Sequence, residues 1–100
     1  SGFNEYGAPI SISYESKSVY WVRGAVIGRS QEFADFEIIN RNISRAHAQV
    51  VVKEDSFFIR DLNSTNGTFL NGLKLQPLTY TKFSFGDEIG IATCTLAVTN

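Results

Sequence analysis

The stretch Ala46-His-Ala-Gln-Val-Val-Val-Lys53, followed by the polar residues Glu54-Asp-Ser56 and then by Phe57-Phe-Ile-Arg-Asp61, decides the fold of this chain. Its first part is the longest run rich in β-branched residues, and its last part is a second apolar run. β-Branched and aromatic side chains favour strands. Two such runs joined by a short polar turn predict a β-hairpin centred on Glu54-Asp55.

Strand signals continue on both sides of this hairpin, whereas helical periodicity is nearly absent. Further strands are predicted at 10–14, 19–23, 25–27, 36–38, 68–70, 78–80, 88–91 and 93–98. Turn signals separate them, among them Asn66-Gly67 and Asn71-Gly72, because Asn and Gly tolerate positive φ. About eleven short strands at near-even spacing predict an all-β fold, a two-sheet antiparallel β-sandwich.

Length and composition indicate one domain. The chain has 100 residues, of which 43% are hydrophobic, and this is enough for one core without metals or disulfides. We therefore expect a single domain over residues 1–100, monomeric in isolation and without a cofactor. The sequence contains no Met, so Ser1-Gly2 is expected to be a cloning remnant or a cut end of a longer protein.

The net charge and the number of cysteines limit the expected classes of binding partner and the expected cellular compartment. The net charge of −1 argues against direct nucleic-acid binding, which usually needs a basic excess. No apolar run approaches the length of a membrane span, so no membrane partner is expected. Cys94 is the only cysteine and cannot form an intrachain disulfide, which favours an intracellular location, nuclear or cytoplasmic.

Three polar clusters at the mouths of apolar runs form candidate anion-binding loops. They are Gly28-Arg29, Ser44-Arg-Ala-His47 and Thr65-Asn-Gly67. The guanidinium of Arg29 is a planar fork of donors that suits a carboxylate or a phosphate. The alternative for Arg29 is a surface ion pair with Glu32 or Asp35.

The polar residues after Arg29 also have structural explanations. A single His next to a strand is usually a hydrogen-bonding residue, so His47 is expected to tie neighbouring loop backbones together. Ser44 is an anion contact or a turn cap. Asn66 can bond nearby backbone groups, and Gly67 supplies an unusual φ, or the pair forms an ordinary turn like Asn71-Gly72.

An enzyme is the weakest of the alternatives. The residue types of a nucleophilic catalytic triad are present at Ser44, His47 and Asp61. The sequence lacks a Gly-x-Ser-x-Gly elbow and an obvious oxyanion hole. One His and one Cys fall short of a zinc site. We therefore expect no catalytic residue and no metal site.

The clusters together resemble a known family. In order and spacing, Gly28-Arg29, Ser44-x-x-His47 and Asn66-Gly67 resemble the motif of the forkhead-associated (FHA) domain. The surrounding sequence matches as well, at Phe36-x-Ile38, Asn63-Ser-Thr-Asn-Gly-Thr-Phe69, Asn71-Gly72 and Gly86-Asp87-Glu-Ile89. The resemblance covers residues 3–99, essentially the whole chain.

This resemblance implies a signalling module that binds phosphothreonine peptides through loops at one end of the sandwich. It implies that Arg29 and Ser44 hold the phosphate, that Thr65 assists, and that Arg45 supplies a second cation. Asn66 would hold the main chain of the bound peptide. The residues that would shape the loops are Gly28, His47 and Gly67.

A phosphate-independent interaction domain that uses a sheet face is the main alternative. It would show exposed aromatic side chains on one outer face, for which the candidates are Tyr20, Trp21 and Tyr80. If the phosphopeptide hypothesis holds, the ligand residues next to the phosphothreonine would be read by Asn40–Asn42 and Asn71–Leu75. Within these loops, Arg41 would favour an acidic neighbour.

Overall fold

The computed structural model describes residues 10–15, 17–21, 24–54 and 56–99. Within these ranges the chain forms eleven strands. Their bounds are β1 Ile10–Tyr14, β2 Lys17–Trp21, β3 Gly24–Gly28, β4 Phe36–Glu37, β5 Ala48–Lys53, β6 Ser56–Asp61, β7 Thr68–Leu70, β8 Leu73–Lys74, β9 Thr81–Phe83, β10 Glu88–Ile91 and β11 Cys94–Thr99.

The strands form two sheets, and the predicted all-β sandwich is confirmed. The six-stranded sheet has the order β2-β1-β11-β10-β7-β8, and the five-stranded sheet has the order β4-β3-β5-β6-β9. No helix in the described part of the chain is long and apolar enough to span a membrane.

The predicted hairpin lies in the five-stranded sheet. β5 and β6 pair antiparallel from Ala48 opposite Asp61 to Lys53 opposite Ser56. Alternate residues of both strands are buried, as the period of a half-buried strand requires. Asp55, at the predicted turn, lies outside the described residues. The hairpin prediction is confirmed for both strands.

One strand pair departs from the antiparallel expectation. β3 and β4 pair in parallel, with Ile27 opposite Phe36. The chain returns to the level of Val26 before β4 begins, because the backbone N–H of Asp35 donates to the Val26 carbonyl at 2.8 Å. The Asp35 carboxylate in turn accepts from the Val26 N–H at 2.9 Å.

The strand predicted at 78–80 is wrong. Leu78 has a φ of 61°, and its N–H donates to the Asp61 carbonyl at 2.9 Å. This left-handed turn residue cannot lie inside a strand, so β9 begins only at Thr81. The sequence pattern also missed β8, which pairs with β7 across the positive-φ turn Asn71-Gly72.

The strands predicted at 19–23 and 25–27 fall into different sheets. β2 belongs to the six-stranded sheet and β3 to the five-stranded sheet. The last two residues of the predicted strand 19–23 lie outside the described residues, as do Ser1 and Gly2.

Both sheets contribute to a single core. Its fully buried apolar side chains include Ile12, Ile27, Ile59, Ile89, Ile91 and Leu96. The Cys94 thiol is also buried, and its Sγ accepts from the Asn40 amide at 3.6 Å. The core thus fixes the strand ends from which the loops at 29–47 and 62–67 emerge.

We expect Ile59→Ala to lower the free energy of unfolding by about 2–5 kcal/mol, because it removes a fully buried side chain and leaves a cavity. Ile59 is 0% exposed and Ile39 is 80% exposed, so Ile39→Ala is a matched control that should change stability by less than about 0.5 kcal/mol. Urea denaturation of both variants measures the difference. Equal losses at the two positions would contradict the assignment of the core.

Candidate functional site

The loops bring the predicted ligand contacts to one cavity. This open cavity has a volume of about 520 Å³. It lies at the end of the sandwich where the loops before β5 and β7 meet, and its lining includes Arg29, Ser44, Arg45, Thr65 and Asn66. The three clusters separated in sequence are therefore one site in space.

Gly28 allows the end of β3 to approach the Ser44 loop. A Cβ at Gly28 would lie 2.0 Å from the backbone oxygen of Arg45, so no side chain fits there. The close approach lets the Arg29 N–H donate to the Ser44 carbonyl at 2.9 Å and the His47 N–H donate to the Ile27 carbonyl at 2.8 Å. Gly28 is therefore needed to hold this loop against the strand.

His47 joins two loops through its buried side chain. Its ring is 0% exposed. Nδ1 accepts from the Ser44 N–H at 3.0 Å, and Nε2 lies 2.8 Å from the Gly67 carbonyl, to which the Nε2–H tautomer donates. Burial lowers the pKa of His47 below its ordinary value, although the Gly67 carbonyl and the Asp61 carboxylate favour the charged form.

Ser44, His47 and Asp61 do not form a catalytic triad. Both ring nitrogens of His47 are engaged by backbone groups, so neither is left to activate the Ser44 hydroxyl. That hydroxyl instead accepts from the Thr65 N–H at 3.1 Å. The Asp61 carboxylate is bonded to Ser64 and Thr68.

Asp61 organises the loop that follows β6, and the sequence analysis missed this role. Its buried carboxylate accepts from the Thr68 hydroxyl at 2.6 Å and from the Ser64 N–H at 3.0 Å and hydroxyl. Burial opposes ionisation, but these hydrogen bonds and the nearby His47 hold the pKa of Asp61 below its ordinary value. A strand ending in Asp and followed by Ser and Thr was the available signal.

Gly67 ends this network at the start of β7. Its N–H donates to the Ser64 hydroxyl at 3.0 Å, and its carbonyl accepts from the Ala92 N–H at 3.1 Å as well as from His47. Its φ of +88° lies in the region that glycine tolerates. Substitution there would strain the backbone and crowd Lys74, whose Cε lies 2.9 Å from a Cβ built at Gly67.

Arg29 is oriented by one hydrogen bond and keeps its outer donors. Its Nε donates to the Ile43 carbonyl at 2.8 Å, which fixes the plane of the guanidinium. In the described parts of the chain, neither Glu32 nor Asp35 pairs with it, and the Asp35 carboxylate is bonded to Val26 instead. The two terminal nitrogens of the guanidinium are thus available at the cavity.

The Ser44 hydroxyl is positioned as a donor. Because it already accepts from the Thr65 N–H, its own proton remains to be donated at the cavity. The backbone groups of Ser44 are used by His47 and Arg29. Thr65 is exposed at the same rim, next to this hydroxyl.

Asn66 connects the two loops that line the cavity. Its Nδ2 donates to the Asn42 carbonyl at 2.7 Å, which leaves the amide oxygen and one amide hydrogen for other contacts. The sequence predicted Asn42 only as part of a loop that reads the ligand residues next to the phosphothreonine, and the contact with Asn66 was not predicted. The acceptor is a backbone carbonyl, which every residue has, so the residue types in the sequence do not indicate this contact.

Arg45 lies on an aromatic ring at the rim. Its Cζ is 5.7 Å from the centroid of the Phe33 ring, a cation–π distance. Phe33, which the sequence analysis also missed, is 50% exposed. This contact holds the Arg45 guanidinium beside Phe33, and both residues line the cavity.

The remaining candidates lie elsewhere or outside the description. Within the described residues, no group of three or more His, Cys, Asp or Glu side chains could hold a metal ion. Tyr80 is 48% exposed, and the Arg60 Cζ lies 4.9 Å from its ring centroid. The side chains of Tyr20 and Trp21 lie outside the described residues.

We expect the free energy of unfolding to fall as the pH drops below 6.5, the ordinary pKa of His47. A lowered folded-state pKa means that the unfolded chain binds the proton more readily, so stability is complete above pH 6.5 and declines toward the folded pKa. Urea denaturation between pH 7.5 and about pH 5 measures this slope.

His47 is the only histidine, and Asp61 titrates below its ordinary 3.8, outside this window. The control is His47→Gln, which should show a flatter pH dependence. A histidine NMR titration with a midpoint above 6.5 in the folded protein would contradict the assignment.

Comparison with known proteins supports the architecture. The sequence profile of the FHA domain matches residues 25–92. The human nuclear inhibitor of protein phosphatase 1 is 41% identical over 54 residues, which are 52% of this chain and 15% of that protein. The chain therefore spans a small part of the length of this relative.

Solved structures show the same fold. The FHA domain of the CT664 protein from Chlamydia trachomatis superposes with a TM-score of 0.83 at 20% identity, over 91% of this chain and 96% of that one. The MEK1 FHA domain in complex with a phosphothreonine peptide of HOP1 gives 0.82 at 25% identity, over 92% and 96%. With a profile match over residues 25–92, this chain belongs to the FHA-domain family.

Proposed function

We propose that this chain is a non-catalytic, phosphothreonine-dependent peptide-binding module that recruits phosphorylated partner proteins. The observation that carries the proposal is the convergence of the unpaired Arg29 terminal nitrogens and the Ser44 hydroxyl proton on one cavity. The MEK1 FHA domain, which shares the fold, forms a complex with a phosphothreonine peptide, and this likeness supports the same ligand class here.

The donors suit a phosphate better than a carboxylate. A phosphothreonine carries roughly −1.5 to −2 charge near pH 7 and three acceptor oxygens. Arg29 offers a planar fork, Ser44 offers a hydroxyl proton, and Arg45 and Thr65 lie at the same rim. A few such donors satisfy a phosphate without a basic surface, which agrees with a net charge of −1.

The main chain of the ligand is assigned to Asn66. Its amide keeps one hydrogen and its oxygen after the contact with Asn42, and a side-chain amide can both donate to and accept from a peptide group. In this proposal Gly28, His47 and Gly67 act only on loop geometry. Binding thus needs no cofactor and no metal.

The proposal extends to the wider protein. A module that reads phosphothreonine acts where kinases act, in the nucleus or the cytoplasm, and the nuclear phosphatase inhibitor among the relatives supports such a setting. The partner is a phosphorylated protein rather than nucleic acid or membrane. In isolation the domain is proposed to be a monomer.

We expect Arg29→Ala to weaken binding of a phosphothreonine peptide by about 2–5 kcal/mol, roughly 30-fold or more, because it leaves the phosphate without its charged partner. The probe is a fluorescent peptide selected from an oriented phosphothreonine library, measured by fluorescence anisotropy. The matched control is Arg60→Ala, which removes the same charge from β6, where Arg60 contacts Gln49 and Tyr80. The control should bind with native affinity.

The unphosphorylated form of the same peptide separates the two hypotheses. The native domain should bind it far more weakly. Equal binding of both forms, insensitive to Arg29→Ala in a folded protein but lost in Tyr80→Ala, would replace the proposal by the sheet-face alternative.

We expect Ser44→Ala to weaken binding by about 1.5–3 kcal/mol, the value of a hydrogen bond to a charged group. The loss should be smaller than that of Arg29→Ala, because a neutral donor is removed rather than a charge. The same anisotropy assay measures it, with circular dichroism as the folding control. A larger loss than that of Arg29→Ala would reverse the assigned roles.

A further inference from the structure

The candidate cavity has an uneven charge. Three of the nine Lys and Arg residues of the chain line it, namely Arg29, Arg41 and Arg45, and none of its lining residues is Asp or Glu. In a protein with a net charge of −1, this arrangement concentrates positive potential at one place. A single phosphate neutralises at most two of these cations.

Arg41 is displayed by a turn that is anchored to the core. The Ile43 N–H donates to the Asn40 carbonyl at 3.0 Å, and the Asn40 side-chain oxygen accepts from the Asn42 N–H at 2.8 Å. The Asn40 amide also donates to the buried Cys94 thiol at 3.6 Å. Arg41 occupies the second position of this turn, so its backbone is fixed although its side chain is exposed.

The turn is also fixed from the other loop. The Asn42 carbonyl accepts from the Asn66 amide at 2.7 Å, which holds the turn beside the residue proposed to contact the main chain of the ligand. Arg41 and Asn66 line the same cavity, so a peptide seated on Asn66 would share that cavity with Arg41. Among the residues that the structure describes, no carboxylate pairs with Arg41.

The other two cations already have assignments. Arg29 is oriented by the Ile43 carbonyl, and Arg45 rests on the Phe33 ring. The cavity volume of about 520 Å³ lies in the range of whole ligand pockets, more than one phosphate needs. The cavity therefore has room for more than one phosphate, and Arg41 is its third lining cation.

We propose that Arg41 contacts a second anionic group of the bound peptide, a carboxylate or a second phosphate close in sequence to the phosphothreonine. This inference rests on the proposed function, because the phosphothreonine must first place the peptide in the cavity. Arg41 acts on ligand choice, whereas the phosphothreonine itself is held by Arg29 and Ser44.

The experiment uses one phosphothreonine peptide with otherwise neutral residues and two matched series. In one series a single Glu is moved through the positions before and after the phosphothreonine, and in the other a phosphoserine is moved in the same way. Dissociation constants are measured for the native domain, Arg41→Ala, Arg41→Glu and the control Arg60→Ala. The neutral peptide is the reference for every variant.

We expect at least one Glu position to improve native binding about two- to fivefold, the range of an exposed charge pair. Phosphoserine at that position should improve it further, because it carries nearly twice the charge. In Arg41→Ala this gain should fall to about one, and in Arg41→Glu the same peptides should bind more weakly than the neutral peptide. The native gain should shrink at high salt, and Arg60→Ala should keep it.

Two failures are distinguishable. If the neutral phosphothreonine peptide does not bind the native domain, the proposed function fails. If that peptide binds in an Arg29-dependent way, but no acidic position gains affinity or the gain survives Arg41→Ala, only the second anion contact fails. A gain with phosphoserine but none with Glu assigns the contact to a second phosphate, and similar gains with both assign it to either anion.

Discussion

The buried imidazole of His47 is the interaction on which the site depends. It accepts from the Ser44 N–H and donates to the Gly67 carbonyl. The Ser44 loop leads into β5 of the five-stranded sheet, and Gly67 leads into β7 of the six-stranded sheet. One neutral side chain therefore fixes the distance between two loops that enter different layers. A protonated ring would lose the acceptor that Ser44 needs, and burial prevents this by lowering the pKa of His47.

Each of the two loops is held by one further constraint. At Gly28, the absence of a Cβ lets the strand meet the Arg45 backbone, and at the other loop the Asp61 carboxylate gathers Ser64 and Thr68. These contacts hold the polar groups of Ser64 and Thr68 in internal hydrogen bonds. The Arg29 and Ser44 donors that remain at the cavity are those that internal hydrogen bonds do not use, so the proposed preference for anions would follow from how the loops are built.

The sequence predicted most of the strands because period-two alternation and paired Asn-Gly turns are local signals. The hairpin of β5 and β6 and the turn at Asn71-Gly72 depend on neighbours only, and they were found. The turn at Leu78 and the parallel pairing of β3 with β4 depend on contacts with Asp61 and Val26 that no local pattern carries. For the site, side-chain types indicated Arg29, Ser44 and Asn66, whereas the backbone acceptors of Asn42 and Ile43 became visible only in the structure.

These backbone acceptors explain how a nearly neutral protein can present several oriented donors at one cavity. The Ile43 carbonyl uses only the Nε–H of Arg29 and orients the other donors, and the Thr65 N–H uses only a lone pair of the Ser44 hydroxyl and leaves its proton. Each internal hydrogen bond thus uses one donor or acceptor of the side chain and orients a remaining donor toward the cavity. Donors fixed before a ligand arrives lose little entropy on binding. Affinity for the proposed phosphate would then depend on geometry more than on total charge, which makes a balanced composition compatible with the proposed function.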